Sequence, residues 1–317
     1  MLTRPIVALI TPTFNNGHLL NRLYKSIKSQ TYKKFCWIVI DDGSTDSTKS
    51  IVKGFKGLEI IYFRQKNSGP NSARNRAVKL MPTTCKYIID IDSDDTFYHA
   101  KTLEFMVKDV EISKKNIGMI GYSSVDGISG KRSSFTQKPE IVIDFKESLK
   151  GKKIKGEFIF IQKREALKIS KWPEKIWGYE GIRHWEINKY YDFLYKEKPG
   201  RIYYRDRKEN LTSPEGTILR SNNMVEGINY LLRKHGDNLK SYARDQYIYF
   251  NFTKSIYLLL SNKKIEFLKN TIFLFKLRKS FKMHILCLFL FLCIIPPNLF
   301  IKKMYILIKR INYNYKK

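Results

Sequence analysis

The strongest constraint on this chain is a repeated unit. A short apolar run stops in a polar cluster, and a stretch with helical spacing follows. Ile6 to Thr11 leads to Thr13-Phe14-Asn15, Phe35 to Ile40 leads to Asp41-Asp42-Gly43-Ser44, and Tyr87 to Ile91 leads to Asp92-Ser93-Asp94-Asp95. Uninterrupted apolar runs of strand length read as strands buried on both faces. Leu58 to Phe63 reads as a further strand. Between them, Asn16 to Gln30 places Leu19, Leu20, Leu23 and Ile27 on one side of a helix. Ser44-Thr45-Asp46-Ser47 can cap a helix running through Val52, and Ser72 to Met81 reads as another. This alternation predicts an α/β fold around a mostly parallel sheet. Ligands of such sheets bind beyond the carboxyl ends of the strands. The three polar clusters all fall at such ends, so they are expected to share one site.

The rest of the chain is less regular. Residues 115 to 215 show no clean period, and Ser148 to Glu157, rich in Lys and Gly, reads as a mobile basic loop. From Ser221 onward the spacing is helical. The expected division is a catalytic domain over residues 1–215 and a helical, basic and apolar region over 216–317. In that region Met283 to Ile295 is almost wholly apolar, Pro296-Pro297 interrupts it, and a second apolar stretch runs through Ile301. Lys276-Leu277-Arg278-Lys279 precedes the apolar run and Lys302-Lys303 follows it. A spanning helix needs about 20 apolar residues, so an interfacial or re-entrant anchor fits residues 283–301 better.

Charge narrows the partners. The chain carries 59 Lys+Arg against 29 Asp+Glu, a net charge of +30, which calls for an anionic partner. A nucleic acid would satisfy the charge but leaves acidic strand tips unexplained, since these repel phosphates. An anionic membrane surface and a phosphorylated small molecule both remain. The four cysteines match no zinc or redox spacing and read as reduced thiols. No signal peptide is recognisable before the first strand, so the catalytic part is expected in the cytoplasm.

The carboxylates carry the chemistry. Alternation along Ile89-Asp90-Ile91-Asp92 puts Asp90 and Asp92 on one strand face, with Asp94 and Asp95 turning over the tip. Such crowding is unfavourable unless a cation neutralises it, and Mg²⁺ or Mn²⁺ shared with substrate phosphates is the natural occupant. An acidic turn that merely caps the next helix is the alternative. Asp41 could accept hydrogen bonds from a base or ribose, or could cap a helix. Asn67-Ser68-Gly69-Pro70-Asn71-Ser72-Ala73-Arg74-Asn75 is a Gly-Pro turn opening a helix, with Arg74 in the first turn, suited to phosphate or base-edge contacts. No Gly-x-Gly-x-x-Gly or Walker-type sequence is present, which removes the nicotinamide and P-loop readings.

In this order the segments Thr11-Pro12-Thr13-Phe14-Asn15, Asp41-Asp42-Gly43-Ser44-Thr45-Asp46, Gly69-Pro70-Asn71-Ser72-Ala73-Arg74-Asn75 and Asp92-Ser93-Asp94-Asp95 resemble family 2 glycosyltransferases of the GT-A fold. The resemblance covers roughly residues 5–215. It implies an inverting, single-displacement transfer from a nucleotide-diphosphate sugar, here UDP-linked, to a glycan or lipid-linked acceptor. The setting it implies is cell-surface polysaccharide synthesis at the cytoplasmic face of the bacterial inner membrane, with the protein peripheral or monotopic and an oligomer allowed. Donor-binding residues implied are Pro12, Thr13, Phe14, Asn15, Asp41, Asp42, Asn67, Gly69, Arg74, Asp92 and Ser93. Asp41 would face the base with Phe14 and Arg74 nearby, Asp92 the ribose or the metal, and Asp94 the metal; Asp90 lies outside the family triplet. The family takes its catalytic base from a Glu-Asp pair opening a helix. Here that stretch is Trp177-Gly178-Tyr179-Glu180-Gly181-Ile182, so Glu180 is the candidate base and the aspartate position holds Gly181. Glu157, Glu174 and Glu186 are weaker candidates, and Arg205 and Arg207 are candidate diphosphate or acceptor contacts. The glycine at 181 also leaves open an inactive family member.

Overall fold

The computed structural model describes residues 4–176, 181–204 and 214–277, with Lys302, Lys303, Tyr305 and Ile306. These fall into two compact units, one of residues 4–175 with 181–204, the other of Ile176 with the described residues from 214 onward. Glu180, Arg205, Arg207 and the apolar segment 283–301 lie outside the described residues.

The first unit begins with the predicted alternation: β1 (Val7–Thr13), α1 (Gly17–Lys28), β2 (Phe35–Asp41), α2 (Thr48–Gly54), β3 (Ile60–Arg64), α3 (Pro70–Leu80) and β4 (Tyr87–Asp90). It continues through β5 (Thr96–Phe97), α4 (Thr102–Ile112), β6 (Ile117–Asp126), β7 (Phe135–Thr136), β8 (Glu140–Ile143), α5 (Phe145–Lys150), β9 (Ile154–Lys155), β10 (Phe158–Lys163), α6 (Arg164–Ile169), α7 (Gly181–Asn188) and β11 (Asp192–Tyr203). The second unit holds α8 (Pro214–Leu219), α9 (Ser221–Tyr242), α10 (Arg244–Leu260) and α11 (Lys264–Leu277).

Among the described residues one large sheet runs in the order β3-β2-β1-β4-β10-β6-β11-β5, with β8 paired to β11. The β3-β2-β1-β4 half is parallel, and β10 runs antiparallel to both β4 and β6. Alternation along the buried strands feeds two cores. Val7 and Leu9 of β1 and Phe35, Trp37 and Val39 of β2 join Leu20 and Leu23 of α1 and Leu103 and Met106 of α4 on one face. Ala8, Ile10, Cys36, Ile38 and Ile40 meet Ala73 and Ala77 of α3 on the other. Each fully buried Leu or Ile contributes about 1.5–3 kcal/mol relative to exposure, so a strand cannot slip by one residue without exchanging both cores.

Two sequence expectations need correction. Ser148 to Glu157 is not a mobile loop: Asp144 caps α5 by accepting from the Glu147 amide at 2.8 Å, Gly151 ends that helix in the left-handed region, and β9 pairs with β7. Residues 115–215 are also more regular than their pattern. β6 and β11 are long paired strands, and glycines interrupt the apolar run of β6 because Gly118 and Gly121 leave room for Tyr191 and Phe160. Cys36 and Cys85 are buried free thiols with sulfurs 3.9 Å apart.

Candidate functional site

The first cluster forms where β1, β2 and β3 end. Asp41 is fully buried at the tip of β2; its Oδ1 accepts from the Ser44 amide at 2.7 Å and its Oδ2 from the Tyr62 hydroxyl. Asp42 does a different job. Its Oδ1 accepts from Gln65 Nε2 at 2.8 Å and the Ser68 amide at 2.9 Å, and its Oδ2 from the Gly69 amide at 2.7 Å, so it pins the loop from β3 to α3. Thr13 is buried and its carbonyl accepts from the Asp42 amide at 2.8 Å. Asn15, at φ 51°, accepts from the Thr45 amide at 2.8 Å, while its own amide donates to Ser44 Oγ at 2.9 Å. These bonds leave Phe14 exposed at the rim beyond half-buried Pro12. Gly43 makes the turn at φ 88°, where an added Cβ would lie 2.9 Å from the Asn67 nitrogen. A cleft of about 450 Å³ opens beside it, lined by Gly43, Arg64, Gln65, Lys66 and Asn67.

The acidic turn follows β4. Arg74, from the first turn of α3, pairs through Nε with Asp90 and through Nη2 with Asp92 Oδ1 at 2.9 Å. Burial pushes the Asp90 carboxyl up to about 6, against the pull of Arg74. Asp95 is fully buried; Arg201 Nη1 pairs with its Oδ2 at 3.0 Å and the Tyr204 amide donates to its Oδ1 at 3.3 Å. Burial raises the Asp95 carboxyl above the usual carboxylate range while Arg201 pulls it down. Arg22 of α1 donates to the backbone oxygen of buried Asp94, and its guanidinium carbon lies 3.5 Å from the centre of the Tyr204 ring. Ser93 Oγ accepts from Asn16 Nδ2 at 3.0 Å, which joins the loop after β1 to this turn.

From the sequence alone, such crowding of carboxylates calls for a dication. The structure corrects it, because guanidinium groups already pair with three of the four carboxylates. A metal is therefore not needed to hold the turn together. The donor set still fits one. The Asp92 side chain is 42% exposed, and while its Oδ1 accepts from Arg74 its Oδ2 takes no hydrogen bond from the described residues. No cluster of three His, Cys, Asp or Glu side chains able to hold a metal occurs among the described residues. That pattern suits Mg²⁺ or Mn²⁺, which is held by one or two carboxylates plus substrate phosphates rather than by an all-protein cage.

The far side is built on α3. Asn75 Nδ2 donates to the Trp172 carbonyl at 2.9 Å and to Glu174 at 3.0 Å, and Asn75 Oδ1 accepts from the Trp172 amide at 3.0 Å. Asn71 Nδ2 donates to the Pro173 carbonyl at 3.1 Å. The motif that opens α3 thus clamps the stretch leading towards residue 177. Beyond the undescribed Glu180, Gly181 begins α7 with nothing within 4 Å of an added Cβ. Arg183 is buried over Trp172, 3.8 Å from the ring centre, and donates to the Ser170 carbonyl and Gln162; burial pushes it down to about 9. Burial likewise holds His184 neutral, at about 3, edge-on to Phe160. The three weaker base candidates all have partners: Glu157 pairs with Arg201, Glu174 with Asn75 and Glu186 with Lys189.

Comparison with known proteins accounts for this layout. The sequence profile of glycosyl transferase family 2 matches residues 8–169, just over half of the 317-residue chain. The chain belongs to glycosyl transferase family 2. Among relatives of the family, the Campylobacter jejuni GalNAc(5)-diNAcBac-PP-undecaprenol beta-1,3-glucosyltransferase is 29% identical over 212 residues, 66% of this chain and 67% of its own length. A glycosyltransferase of Rickettsia bellii is 37% identical over 121 residues, which cover 38% of this chain but 17% of that protein. The Staphylococcus aureus poly(ribitol-phosphate) beta-N-acetylglucosaminyltransferase TarP is 40% identical over 103 residues, 31% of each chain. Two solved structures share the fold. S. aureus TarS 1–349 in complex with UDP-GlcNAc superposes with TM-score 0.53 at 18% identity, covering 83% of this chain and 88% of that one. Mannosyltransferase PcManGT from Pyrobaculum calidifontis, in complex with GDP-Man and Mn²⁺, gives 0.56 at 19% identity, covering 99% and 88%. At these identities the likeness is one of fold, the GT-A architecture expected from the motifs.

The glycosyl transferase family 2 motifs end up on one edge of the sheet, but Arg74 is committed to Asp90 and Asp92. Asp90, which the motif comparison sets aside, is therefore part of the wiring of the site. Sequence reasoning missed Arg22, Tyr62 and Arg201. Their partners lie between 21 and 106 positions away in sequence, and no local pattern marks them.

Proposed function

We propose that this chain is an inverting glycosyltransferase. It would move a sugar from a UDP-linked donor to a hydroxyl of a glycan or lipid-linked acceptor during cell-surface polysaccharide synthesis. The observation that carries the reading is the acidic turn, where Arg74 orients Asp92 while leaving its second oxygen open, one residue from Ser93, which is bonded to the loop after β1. Asp41 would receive a base N–H on a remaining lone pair, since each carboxylate oxygen can accept more than one hydrogen bond. Asn67 and Gly43 line the neighbouring cleft, which suits a base and ribose. Asp94 and Asp92 would hold Mn²⁺ or Mg²⁺, and the ion would offset charge developing on the departing diphosphate. Glu180 would take the proton from the acceptor hydroxyl, with Asn75 fixing the stretch that leads to it.

The acceptor class is supported by the name of the Campylobacter relative, whose substrate is undecaprenol-linked. With such an acceptor the enzyme would work at the cytoplasmic face of the bacterial inner membrane, and residues 283–301 would serve as a peripheral or monotopic anchor. A second reading, an inactive member that binds donor without turnover, is favoured by one observation: Gly181 stands where the family carries aspartate. The test is a panel of UDP- and GDP-sugars with Mn²⁺ or Mg²⁺, following released nucleotide diphosphate, with Glu180→Gln alongside. Release by the wild type and none by Glu180→Gln supports the reading. Donor binding with no release from either protein supports the inactive one.

A further inference from the structure

We propose that the ribbon formed by β7 and β9 docks the acceptor, and that its lysines hold the diphosphate of a lipid-linked glycan. The proposal deepens the glycosyltransferase reading and rests on it for the site that the ribbon serves. Both strands of the ribbon are tied to one buried arginine that also holds the acidic turn. Arg201 Nε donates to Ser124 Oγ at 3.0 Å, and Ser134 Oγ, just before β7, accepts from the Ser124 amide at 2.7 Å. Just after β9, Glu157 pairs with Arg201 Nη2 at 3.3 Å, while Nη1 of the same guanidinium holds Asp95. Gly156 passes so close to Ser133 that an added Cβ would clash with its carbonyl oxygen. One end of the ribbon is therefore fixed at the site.

Along the ribbon and the chain that joins its strands the charges do not balance. Residues 131–155 carry eight Lys and Arg against three acids. All three acids are engaged: Glu140 pairs with Lys196, Glu147 with Lys150 and Lys153, and Asp144 caps α5. Lys138, Lys152 and Lys155 are exposed and have no acidic partner among the described residues. Phe135 stands directly opposite Lys155, so the two share a face, and Phe135 is 52% exposed. The Gln137 amide donates to the Lys153 carbonyl at 3.0 Å, which brings Lys138 and Lys152 to the same far end of the ribbon. Lysines gathered on ordered backbone repel one another unless an anion lies between them.

The arrangement chooses the occupant. Lys152 precedes the Arg201-bound Glu157 by a stretch of chain that spans about 17 Å at strand rise. A glycan whose end is extended at the acidic turn can lie along this stretch, with Phe135 against the apolar face of a sugar ring and phosphate among Lys138, Lys152 and Lys155. A lipid-linked glycan has that polarity, because its growing sugar end and its diphosphate lie at opposite ends. A neutral glycan leaves the lysines without a counter-charge. A second copy of the chain sets lysine against lysine. A bilayer surface calls for a broad apolar stripe, whereas this ribbon offers the one exposed ring of Phe135 beside three lysines.

The experiment is calorimetric titration of the full chain with two probes, farnesyl-diphosphate-linked N-acetylglucosamine and farnesyl N-acetylglucosaminide, which lacks the diphosphate. EDTA is present, so that no dication holds the diphosphate elsewhere. The wild type should bind the diphosphate probe at least about tenfold more tightly than the neutral one. Lys152→Ala/Lys155→Ala should lose about tenfold or more of the first affinity and none of the second, and Phe135→Ala should weaken both about threefold. Melting temperatures and UDP-sugar affinity in Mn²⁺ equal to those of the wild type establish that the variants fold and keep the donor site. Equal binding of the two probes by the wild type overturns the proposal, and so does a lysine variant that binds the diphosphate probe as tightly as the wild type. A lysine variant that loses binding to phosphatidylglycerol vesicles but keeps its probe affinity makes the ribbon a membrane contact and also overturns it. Lysine-dependent probe binding by a chain that releases no nucleotide from any donor upholds the docking face and removes the catalytic reading. Transfer to a lipid-linked acceptor at the wild-type rate and KM in the lysine variant removes the docking face and leaves the enzyme.

Discussion

Arg74 Nη2 sits 2.9 Å from Asp92 Oδ1 while the Nε of the same guanidinium holds Asp90, so one side chain of α3 joins the end of β4 to the turn beyond it. Three charges in this arrangement keep one carboxylate oxygen of Asp92 available and oriented. Arg74→Ala leaves Asp90 and Asp92 facing each other without the guanidinium they share. Breaking a largely buried ion pair by removing one partner costs several kcal/mol, and partial exposure here reduces that to about 2–3 kcal/mol. The expected outcome is a lowered urea midpoint and a larger stabilisation by Mn²⁺ in the variant than in the wild type. A thermal-shift titration with and without Mn²⁺ checks both; equal Mn²⁺ shifts would place the ion away from Asp92.

Tyr62 gives its hydroxyl to Asp41, which is fully buried. Tyr62→Phe removes one donor from a buried carboxylate and should cost about 1.5–3 kcal/mol in chemical denaturation. Donor affinity should change little, because the Ser44 amide still orients Asp41. Asp41→Asn should weaken UDP-sugar binding about tenfold or more. Equal donor affinity in Asp41→Asn and the wild type would remove Asp41 from base recognition.

Asn75 makes three hydrogen bonds to the stretch Trp172–Glu174. Asn75→Ala should cost about 2–3 kcal/mol at roughly 1 kcal/mol per bond. If that stretch positions Glu180, kcat should fall while the donor dissociation constant stays as in the wild type. A variant that loses donor affinity and keeps kcat would assign Asn75 to the donor side.

Much of this was legible in the sequence, for a physical reason. A buried strand must be apolar, and its C-terminal end must be polar if it meets a ligand, so β1, β2 and β4 announced both the sheet and the site edge. What stayed hidden was non-local. Arg201 reaches Asp95 across 106 positions, and Arg22 reaches Asp94 across 72. The acidic turn therefore looked more negative than it is, and a dication was asked to do what arginines already do. β6 was obscured by Gly118 and Gly121, whose missing side chains make space for Tyr191 and Phe160. The α5 region was read as a loop from its lysines, although Asp144-x-x-Glu147 already carried the cap.

Gly181 opens α7 into free space. Gly181→Asp should fold and gain about 0.5–1 kcal/mol, because Gly is a poor helix former and an acid suits a helix N-terminus. With Glu180 as the base, the transfer rate should stay close to that of the wild type. A rate that climbs from nothing to measurable in Gly181→Asp would show that the natural chain is the inactive member.

The central claim is that Asp92 and Asp94 present a dication to the donor diphosphate. Calorimetric titration of a UDP-sugar into the full chain, with Mn²⁺ and then with EDTA, tests it most directly. Affinity at least about tenfold higher with Mn²⁺, lost in Asp94→Asn, is the predicted result. Donor affinity identical in EDTA and in Mn²⁺ would contradict it.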